Sequence, residues 1–420
     1  MQPLLRRRQI DEVIGLRSDQ LDADTLAQAN SIVQDVRQRG EVALREHSER
    51  LGDLKPGEAY LYSRTDLERV FEALTDTERA LLQRTAARIQ VFAELQRSAL
   101  TEVQMRVPGG TAGHSIRPVD RAGCYAPSGR FPLPSSVLMT AITARAAGVT
   151  EVWVASPKPN SVTLAAAAVA GADGVFALGG AQAIAAMAYG VGEVPACDVI
   201  VGPGNRYVTA AKKIVSGHVA IDMLAGPSEL VVVTDAAANT SCVAADLLAQ
   251  AEHDADARVV LISLDATIVD RVNEQLASQL PDLPTAATAR AALKESFAVV
   301  VANVDEAIAL CDRLAPEHLQ LSVDDPEPYR QKLSHYGALF SGVAGAEVFG
   351  DYGAGPNHVL PTGGTARFTG GLSVLNFLRV RTWLHLDDMH GAATLARDAA
   401  ELARLEGLEA HARAASYRYH

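Results

Sequence analysis

Up to about residue 115 the apolar positions recur at spacings of three and four with charges between them. The run TLAQANSIVQDVRQRGEVALREHSERL and the stretch from Thr75 to Leu100 both read this way, which predicts amphipathic helices. Asp76, Thr77 and Glu78 give the second of these the acidic, capping first turn of a helix. From Ala122 the rhythm changes to short apolar runs closed by Gly and Pro and followed by small-residue helical stretches. AGCYAPSGRFPLPSSVLMTAITARAAG, VTEVWVASPKP, VTLAAAAVAGA, GVFALGG, AQAIAAMAYG, DVIVGPG and NRYVTAAKKIV alternate strand and helix texture. That alternation predicts a parallel sheet with crossover helices, a nucleotide-binding kind of architecture.

A second strand-helix-strand unit follows in ELVVVTD (Glu229 to Asp235), ANTSCVAADLLAQAEHD and RVVLISL, and FAVVVANV and ALFSGV are further strand candidates. After Arg379 the pattern reads as helical again, with an Ala/Leu/Arg helix pair broken near Gly407. No repeat of about 20–50 residues and no low-complexity tract interrupts this order.

Composition narrows the function classes. The 420 residues exceed one ordinary core, and at roughly 150 residues per domain they suggest two or three. The chain is 48% hydrophobic and 21% charged, which excludes disorder as its main state. Lys and Arg number 38 against 50 Asp and Glu, a formal charge of −12. A protein that wraps nucleic acid or lies on an anionic membrane needs a dense positive face, so neither partner is expected.

Met1 to Ile10 has its arginines after the apolar pair and no apolar core follows, so no secretory signal is expected and the compartment is taken as the cytoplasm. Gly174 to Gly192 is uncharged and nearly long enough to span a bilayer. Its five glycines and Gln182 fit a buried strand, a Gly turn and a helix start better. Cys124, Cys197, Cys242 and Cys311 form no C-x-x-C pair and are expected to be buried thiols.

Among motifs, Gly202-Pro-Gly204-Asn-Arg-Tyr207 lacks the third glycine of a dinucleotide fingerprint, and Gly353-Ala-Gly355 runs on into Pro-Asn-His. There is no G-x-x-x-x-G-K-[ST], H-E-x-x-H or G-x-S-x-G. What remains are Gly/Pro loops carrying Tyr125 (GCYAPSG), Gln182 (GGAQAIA) and Asn205 (GPGNRY). Each alone reads as a strand-to-helix turn. Together they suggest one ligand cleft at the carboxyl ends of strands, where helix starts would offer free N–H groups to an anion such as pyrophosphate.

Gln250 and His253 are three apart in DLLAQAEHD, so on a helix they would share a face and suit one metal, although by themselves an exposed helix side is the commoner explanation. Asp351 and His358 lie in GDYGAGPNHVLPT, where a loop ordered by Gly and Pro favours a functional over a purely turn-forming role. Glu317 and His318, behind Pro316 in LAPEHLQL, are candidates for general-base work, against the bland reading of a solvated pair. Glu406 and His411 in EGLEAH read by themselves as an exposed helix, and His47, His114, His218, His335, His385, His390 and His420 as surface or core residues.

VGPGN, YVTAAK, IDMLAGPSEL, DLLAQAEHD, APEHLQL, GDYGAGPNHVLPT and EGLEAH, in this order, resemble histidinol dehydrogenases, and the likeness extends from about Arg121 to His411. The resemblance implies oxidation of L-histidinol through L-histidinal to L-histidine, the last step of histidine biosynthesis, with two NAD molecules and one zinc ion. It implies Gln250, His253, Asp351 and His411 as zinc ligands, His411 coming from the partner in a homodimer, and Glu317 and His318 as the catalytic base pair. It further implies Ser228, His358 and Glu406 as substrate contacts, alongside the ligands and His318, and Tyr125, Gln182 and Asn205 as NAD contacts.

Four N/O ligands suit zinc, and the substrate's imidazole and amine would complete its shell. His318 would take the alcohol proton and Glu317 would activate water for attack on the aldehyde. The chain departs from the family pattern in APSG, where many members have a second Gly, and at Thr140 and Thr143, where Asn and Pro are usual. Only Cys124 falls within a motif, which disfavours a thiohemiacetal route.

The implied fold is two incomplete Rossmann-like α/β domains, one inserted in the other, in an intertwined homodimer. The expected division is an N-terminal segment 1–19, a first domain of 20–124 plus 229–372, an NAD-binding domain of 125–228, and a helical tail of 373–420 that reaches the partner. The nearest rival reading is a dehydrogenase of another small amino or sulfo alcohol on the same scaffold. A non-catalytic zinc protein is the rival from another class, and it leaves the Glu317–His318 pair and the three loops without a purpose.

Overall fold

The computed structural model describes residues 3–13, 21–128, 132–342 and 344–418. His420 and most of the expected boundary around residue 19 lie outside the described residues. Fifteen strands, numbered along the chain, form three sheets among them. The first sheet has the spatial order β1 (Arg6–Arg7), β12 (Phe297–Val300), β11 (Arg258–Ser263), β10 (Glu229–Thr234), β13 (His318–Ser322) and β14 (Ala338–Ser341), parallel throughout. The second runs β2 (Leu61–Ser63), β7 (Gly174–Phe176), β6 (Glu151–Ala155), β5 (Arg121–Tyr125), β8 (Val199–Val201) and β9 (Ala220–Ile221). It is parallel except where β2 pairs antiparallel with β7. In each sheet the chain winds outward from a central strand, β10 or β5, and then reverses to its other side, at β13 or β8. These reversals are topological switch points, where open α/β sheets leave a crevice.

The strands are apolar because helices cover both faces. Leu230 and Val232 of β10 pack with Leu247 and Leu276, while Val231 and Val233 pack on the opposite face with Ile308 and Leu319, the period of two expected of a strand. In the second sheet Val152, Val154 and Val199 face the helices Arg64–Glu72, Asp76–Ser98 and Pro134–Ala147. Phe176 and Ile200 face Ala23–Arg39, Gly180–Tyr189 and Arg206–Val215. A Leu, Val or Phe side chain buried in this way stabilises the fold by about 1.5–3 kcal/mol.

The helical reading of the first 115 residues holds for five helices, and the same region adds four strands, among them β1 and β2, to the sheets. The strand pairings draw the division differently from expectation. β2 and β5 belong to the sheet built by residues 151–221, and helices from residues 23–98 cover both of its faces. Residues 23–98 therefore group with 125–228, while Leu5 and β1 join the sheet built by residues 229–341.

The reading of residues after Arg379 as helical is also corrected. Leu378–Leu386 is β15, which pairs antiparallel with β4 (Gly110–Pro118), itself paired with β3 (Val103–Val107). Its Val380, Thr382 and Trp383 are good strand formers. The Trp383 ring lies over Gly113, where a Cβ would stand 2.7 Å from it. The helix pair comes later, at Ala393–Leu405 and Glu409–Ser416, broken as expected at Gly407, whose φ is +76°.

Gly174–Phe176 and Gly180–Tyr189 are the strand and helix expected of the uncharged stretch, and no helix among the described residues is long and apolar enough to cross a membrane. Cys124, Cys197 and Cys311 are buried free thiols, but Cys242 is exposed on its helix, contrary to expectation.

Candidate active site

The register of the first sheet pairs Leu230 with His318, so Glu229 and Glu317 lie side by side at the amino ends of β10 and β13, the strands that flank the switch point. The Glu229 N–H donates to Glu317 Oε2 at 2.8 Å, and the Glu229 carbonyl faces His318 Nδ1 at 3.2 Å. A carbonyl only accepts, so Nδ1 carries the proton and Nε2 is left buried without a hydrogen-bond partner. Ala315, with φ of +46°, turns the chain out of the helix Val304–Leu314. Ala338 of β14 then donates to the Glu317 carbonyl at 2.9 Å. Glu317 and His318 are 6% and 3% exposed, which removes the solvated reading of the pair.

Glu347 and Asp351 open and close the short helix Glu347–Asp351, four residues apart and on one face. Gly350 lets this helix approach β14, since a Cβ there would stand 2.6 Å from the Phe340 ring, and Phe340 in turn lies 6.0 Å from the His318 ring. The result is an imidazole ringed by carboxylates. His318 Nδ1 is 3.7 Å from Glu317 Oε2 and 3.8 Å from Glu347 Oε1, and Nε2 is 3.6 Å from Asp351 Oδ1.

Burial pushes Glu317 and Glu347 up to about 8 despite the pull of His318. Burial works to lower His318, but Glu317, Glu347 and Asp351 outweigh it and lift it to about 10. Burial alone would raise Asp351, yet His318, His358 and His253 hold it below the ordinary carboxylate range. His358 Nδ1 meets the Asp351 carbonyl at 2.9 Å, so this ring too keeps its proton on Nδ1. Burial lowers His358, and its Nε2 is a bare, buried acceptor.

Gln250 closes the helix Thr240–Ala251, which packs against the helix carrying Asp351. The helix ends at Ala251, so His253 lies in the turn beyond and does not share a helical face with Gln250. It nevertheless reaches the site, with Nε2 4.0 Å from Asp351 Oδ2. Gln250 is 0% exposed and neither its amide oxygen nor its amide nitrogen has a partner. A buried amide without hydrogen bonds costs about 1–3 kcal/mol, which a cation on its oxygen would offset. His318, Glu347 and Asp351 also present ligand atoms within 4.8 Å of one another. Together with Gln250 and His253 these N/O donors fit a divalent metal of the zinc type.

The fourth expected ligand is elsewhere. Glu406 and His411 are exposed at the end of Ala393–Leu405 and on Glu409–Ser416, and neither side chain contacts the Asp351 cluster among the described residues. Ser228 stands immediately before Glu229, with its carbonyl accepting from Arg258 N–H at 3.0 Å.

Tyr125, Gln182 and Asn205 do gather after the carboxyl ends of β5, β7 and β8, around the switch point of the second sheet. Their helix starts differ from expectation. The Asn205 side chain already accepts from Tyr207 and Val208 N–H at 3.0 and 3.2 Å. Gly179 N–H is held by Asp53 and Gly180 N–H by the Tyr125 hydroxyl, at 3.0 and 3.1 Å. At each helix start two N–H groups are thus spent on the protein and are not available to pyrophosphate. Beside them lies one acceptor without a partner, the buried Gln182 Oε1, whose chemistry suits a hydroxyl or amino donor. Behind them Gly202 has φ of +115°, and a Cβ there would overlap the Tyr125 carbonyl oxygen.

Three groups at these sites escape sequence reasoning. Glu229 was read only as the start of a strand, and nothing local marks it as a neighbour of Glu317. Glu347 had one usable signal, its spacing of four from Asp351. Gln320 spans Asp246, to which its Nε2 donates at 2.6 Å, and the Glu347 N–H, which its Oε1 accepts at 3.3 Å, and so ties the metal-side helix to the Asp351 helix.

The loop Gly353–His358 is anchored from outside. Arg88 Nε donates to the Gly353 carbonyl at 2.6 Å, and Asn357 Nδ2 donates to the Met139 carbonyl and Thr143 Oγ1 at 2.9 and 3.1 Å. Thr143 thus ties the helix Pro134–Ala147 to the residue before His358.

Known proteins match this chain along nearly its whole length. The family model described as histidinol dehydrogenase matches residues 16–419. The histidinol dehydrogenase of Pseudomonas aeruginosa is 45% identical over 394 residues, covering 92% of this chain and 89% of that one. That of Thermus thermophilus is 49% identical over 351 residues, covering 83% and 84%. The crystal structure of histidinol dehydrogenase from Elizabethkingia anophelis superposes with a TM-score of 0.92 at 32% identity, covering 100% of this chain and 98% of that one. With its buried Glu317–His318 pair beside a cluster of nitrogen and oxygen donors, the chain belongs to the histidinol dehydrogenase family.

Proposed function

We propose that this protein is an NAD-linked, zinc-dependent L-histidinol dehydrogenase that catalyses the last step of histidine biosynthesis in the cytoplasm. The alcohol loses a hydride and a proton to give the aldehyde. The aldehyde then adds water and loses a second hydride, so that one histidinol, one water and two NAD yield one histidine carboxylate, two NADH and three protons. The observation that carries the reading is the buried Glu317–His318 pair, with an unpartnered Nε2, set against the orphaned Gln250 amide and Asp351 in a chain of this family.

His318 Nε2 takes the hydroxyl proton in the neutral form of the ring, because Nδ1 is committed to the Glu229 carbonyl; the carboxylates that lift His318 to about 10 leave that form in the minority near neutral pH, so this step should quicken as pH rises. Glu317 takes the proton from the attacking water, its carboxyl being tuned near neutrality by burial and oriented by the Glu229 N–H. His358, neutral and with a bare Nε2, accepts a hydrogen bond from a substrate donor, and Ser228 and Glu406 line the same substrate. Gln250, His253 and Asp351, joined by His411 from a second copy of the chain, would hold zinc, which when bound supplies Lewis-acid anchoring of the substrate's nitrogen donors. Tyr125, Gln182 and Asn205 bind NAD, which supplies the hydride acceptor.

The architecture that goes with this reading is a homodimer of two Rossmann-like halves. The half around residues 125–228 interrupts the chain of the other, and the tail after residue 373 reaches the second copy. The isolated exposure of Glu406 and His411 supports such a shared site. Purified protein given zinc, NAD and L-histidinol is expected to form two NADH per histidine. Turnover of another amino alcohol but not histidinol would overturn the substrate, intact turnover in His318→Ala the base, and normal zinc binding by His411→Ala the shared site.

A further inference from the structure

The N-terminal helical region sends one carboxylate to the nucleotide side. Asp53 follows the helix Glu41–Arg50, and its own N–H donates to the Ser48 carbonyl at 2.8 Å. Its Oδ2 accepts from Gly179 N–H and from Gln182 Nε2, both at 3.0 Å. Gly179 makes room for this, since a Cβ there would stand 2.7 Å from Pro157 and 3.2 Å from Asp53 Oδ2. Tyr125 completes the group through its hydroxyl on Gly180 N–H. Two residues assigned to NAD therefore meet Asp53 on the first turn of one helix, Gly180–Tyr189.

The chemistry of this wall is that of an acceptor. Gly179 and Gly180 N–H are taken, Asp53 Oδ2 is anchored, and Gln182 Oε1, in a side chain 1% exposed, has no partner. A ribose hydroxyl donates to such a surface, whereas a phosphate brings only acceptors and negative charge. Lys158 is the cation acting on Asp53. Its charge tempers the carboxylate and would turn toward a phosphate if the carboxylate were neutralised.

We infer that Asp53 is a specificity-determining residue of the cofactor site, favouring a dinucleotide with a free ribose hydroxyl and rejecting one with a 2′-phosphate. This rests on the assignment of Tyr125 and Gln182 to NAD. The alternative, an acidic cap that merely ends a helix, predicts no effect on cofactor choice.

The test is direct binding of NAD and NADP to the zinc-loaded protein without substrate, by isothermal titration calorimetry, followed by kcat/KM for each with histidinol. Wild-type protein is expected to prefer NAD in both. Asp53→Asn keeps an oxygen for Gly179 N–H and is expected to narrow the preference by at least about tenfold, mainly through tighter NADP binding. An unchanged ratio in a variant that melts like wild type overturns the inference. If the variant does not fold, wild-type protein that binds NAD and NADP equally overturns it just as well. Gln182→Leu separates the two levels. Should it leave NAD affinity unchanged, the cofactor assignment itself falls; should it weaken NAD while Asp53→Asn leaves the ratio fixed, only the role of Asp53 falls.

Discussion

Lys212 and Asp222 form a buried ion pair, with side chains 3% and 0% exposed, directly beneath the Gly202 loop. Lys212 Nζ also donates to the Gly202 carbonyl at 3.0 Å. Asp222 accepts from Gly202 N–H on Oδ2 and from Met223 N–H on Oδ1, both at 2.7 Å. The pair thus holds both polar groups of a glycine whose left-handed backbone brings β8 against Tyr125. Replacing Lys212 by Met keeps most of the apolar volume but strands a carboxylate in the interior. Removing one partner of a buried pair costs about 3–5 kcal/mol, a large part of a typical total of about 5–15 kcal/mol.

Urea unfolding of Lys212→Met should therefore show a loss in this range, with a weaker affinity for NAD because Tyr125 and Asn205 flank the loop. The double variant Lys212→Met/Asp222→Asn removes the stranded charge while keeping an oxygen for the Gly202 N–H. It should recover a substantial part of the loss. A single variant within about 1 kcal/mol of wild type, or a double variant as unstable as the single, would refute the reasoning, because either would mean the carboxylate is not desolvated.

Gly202→Ala should fail to form the native nucleotide loop and should cost several-fold in NAD affinity, measured by titration, since the new methyl group meets backbone and not a movable side chain. Gln250→Leu should leave the metal-free protein as stable as wild type, or more stable by about 1–3 kcal/mol, while abolishing tight zinc binding, because the amide has no partner to lose. Thr143→Val should raise KM for histidinol several-fold with a stability loss of only about 1 kcal/mol, and Thr143→Ser should restore it, since Asn357 needs only the hydroxyl.

At alkaline pH the buried thiols set the trend. Burial pushes Cys124 up to about 12 and raises Cys197 and Cys311 as well. Their folded values lie above the unfolded value of 9.0, so the thiols' own contribution is intact below about pH 9 and falls as pH rises toward 12. Chemical denaturation across this range should show a slope of up to about 1.4 kcal/mol per pH unit for each thiol, and the trend should soften in Cys311→Ala.

The elements were legible wherever the local pattern is strong. The continuous apolar runs in ELVVVT and RVVLIS and the helical spacing of Thr75–Leu100 encode burial on both faces and on one face, and the structure places strands and a helix there. β15 was missed because RVRTWLHL mixes charge with strand formers and owes its conformation to β4, which lies over 250 residues earlier in the chain. The turn at Ala251, which takes His253 off the helix, was beyond periodicity for a similar reason, since no Gly or Pro marks it.

By itself the sequence determined the family, through motif strings long enough to name Glu317, His318, Asp351 and His358. The alternation of strand and helix also determined that the protein is α/β. Only the tertiary structure decided what those residues experience. Glu229 stands beside Glu317 because two strands pair in one register, and Glu347 beside His318 because Gly350 lets a helix settle on Phe340. Asp53 sits on Gln182 because a loop more than a hundred residues away folds over that helix start. Proton position, charge and access depend on neighbours within a few ångströms, and those neighbours are supplied by packing between segments that share no local pattern.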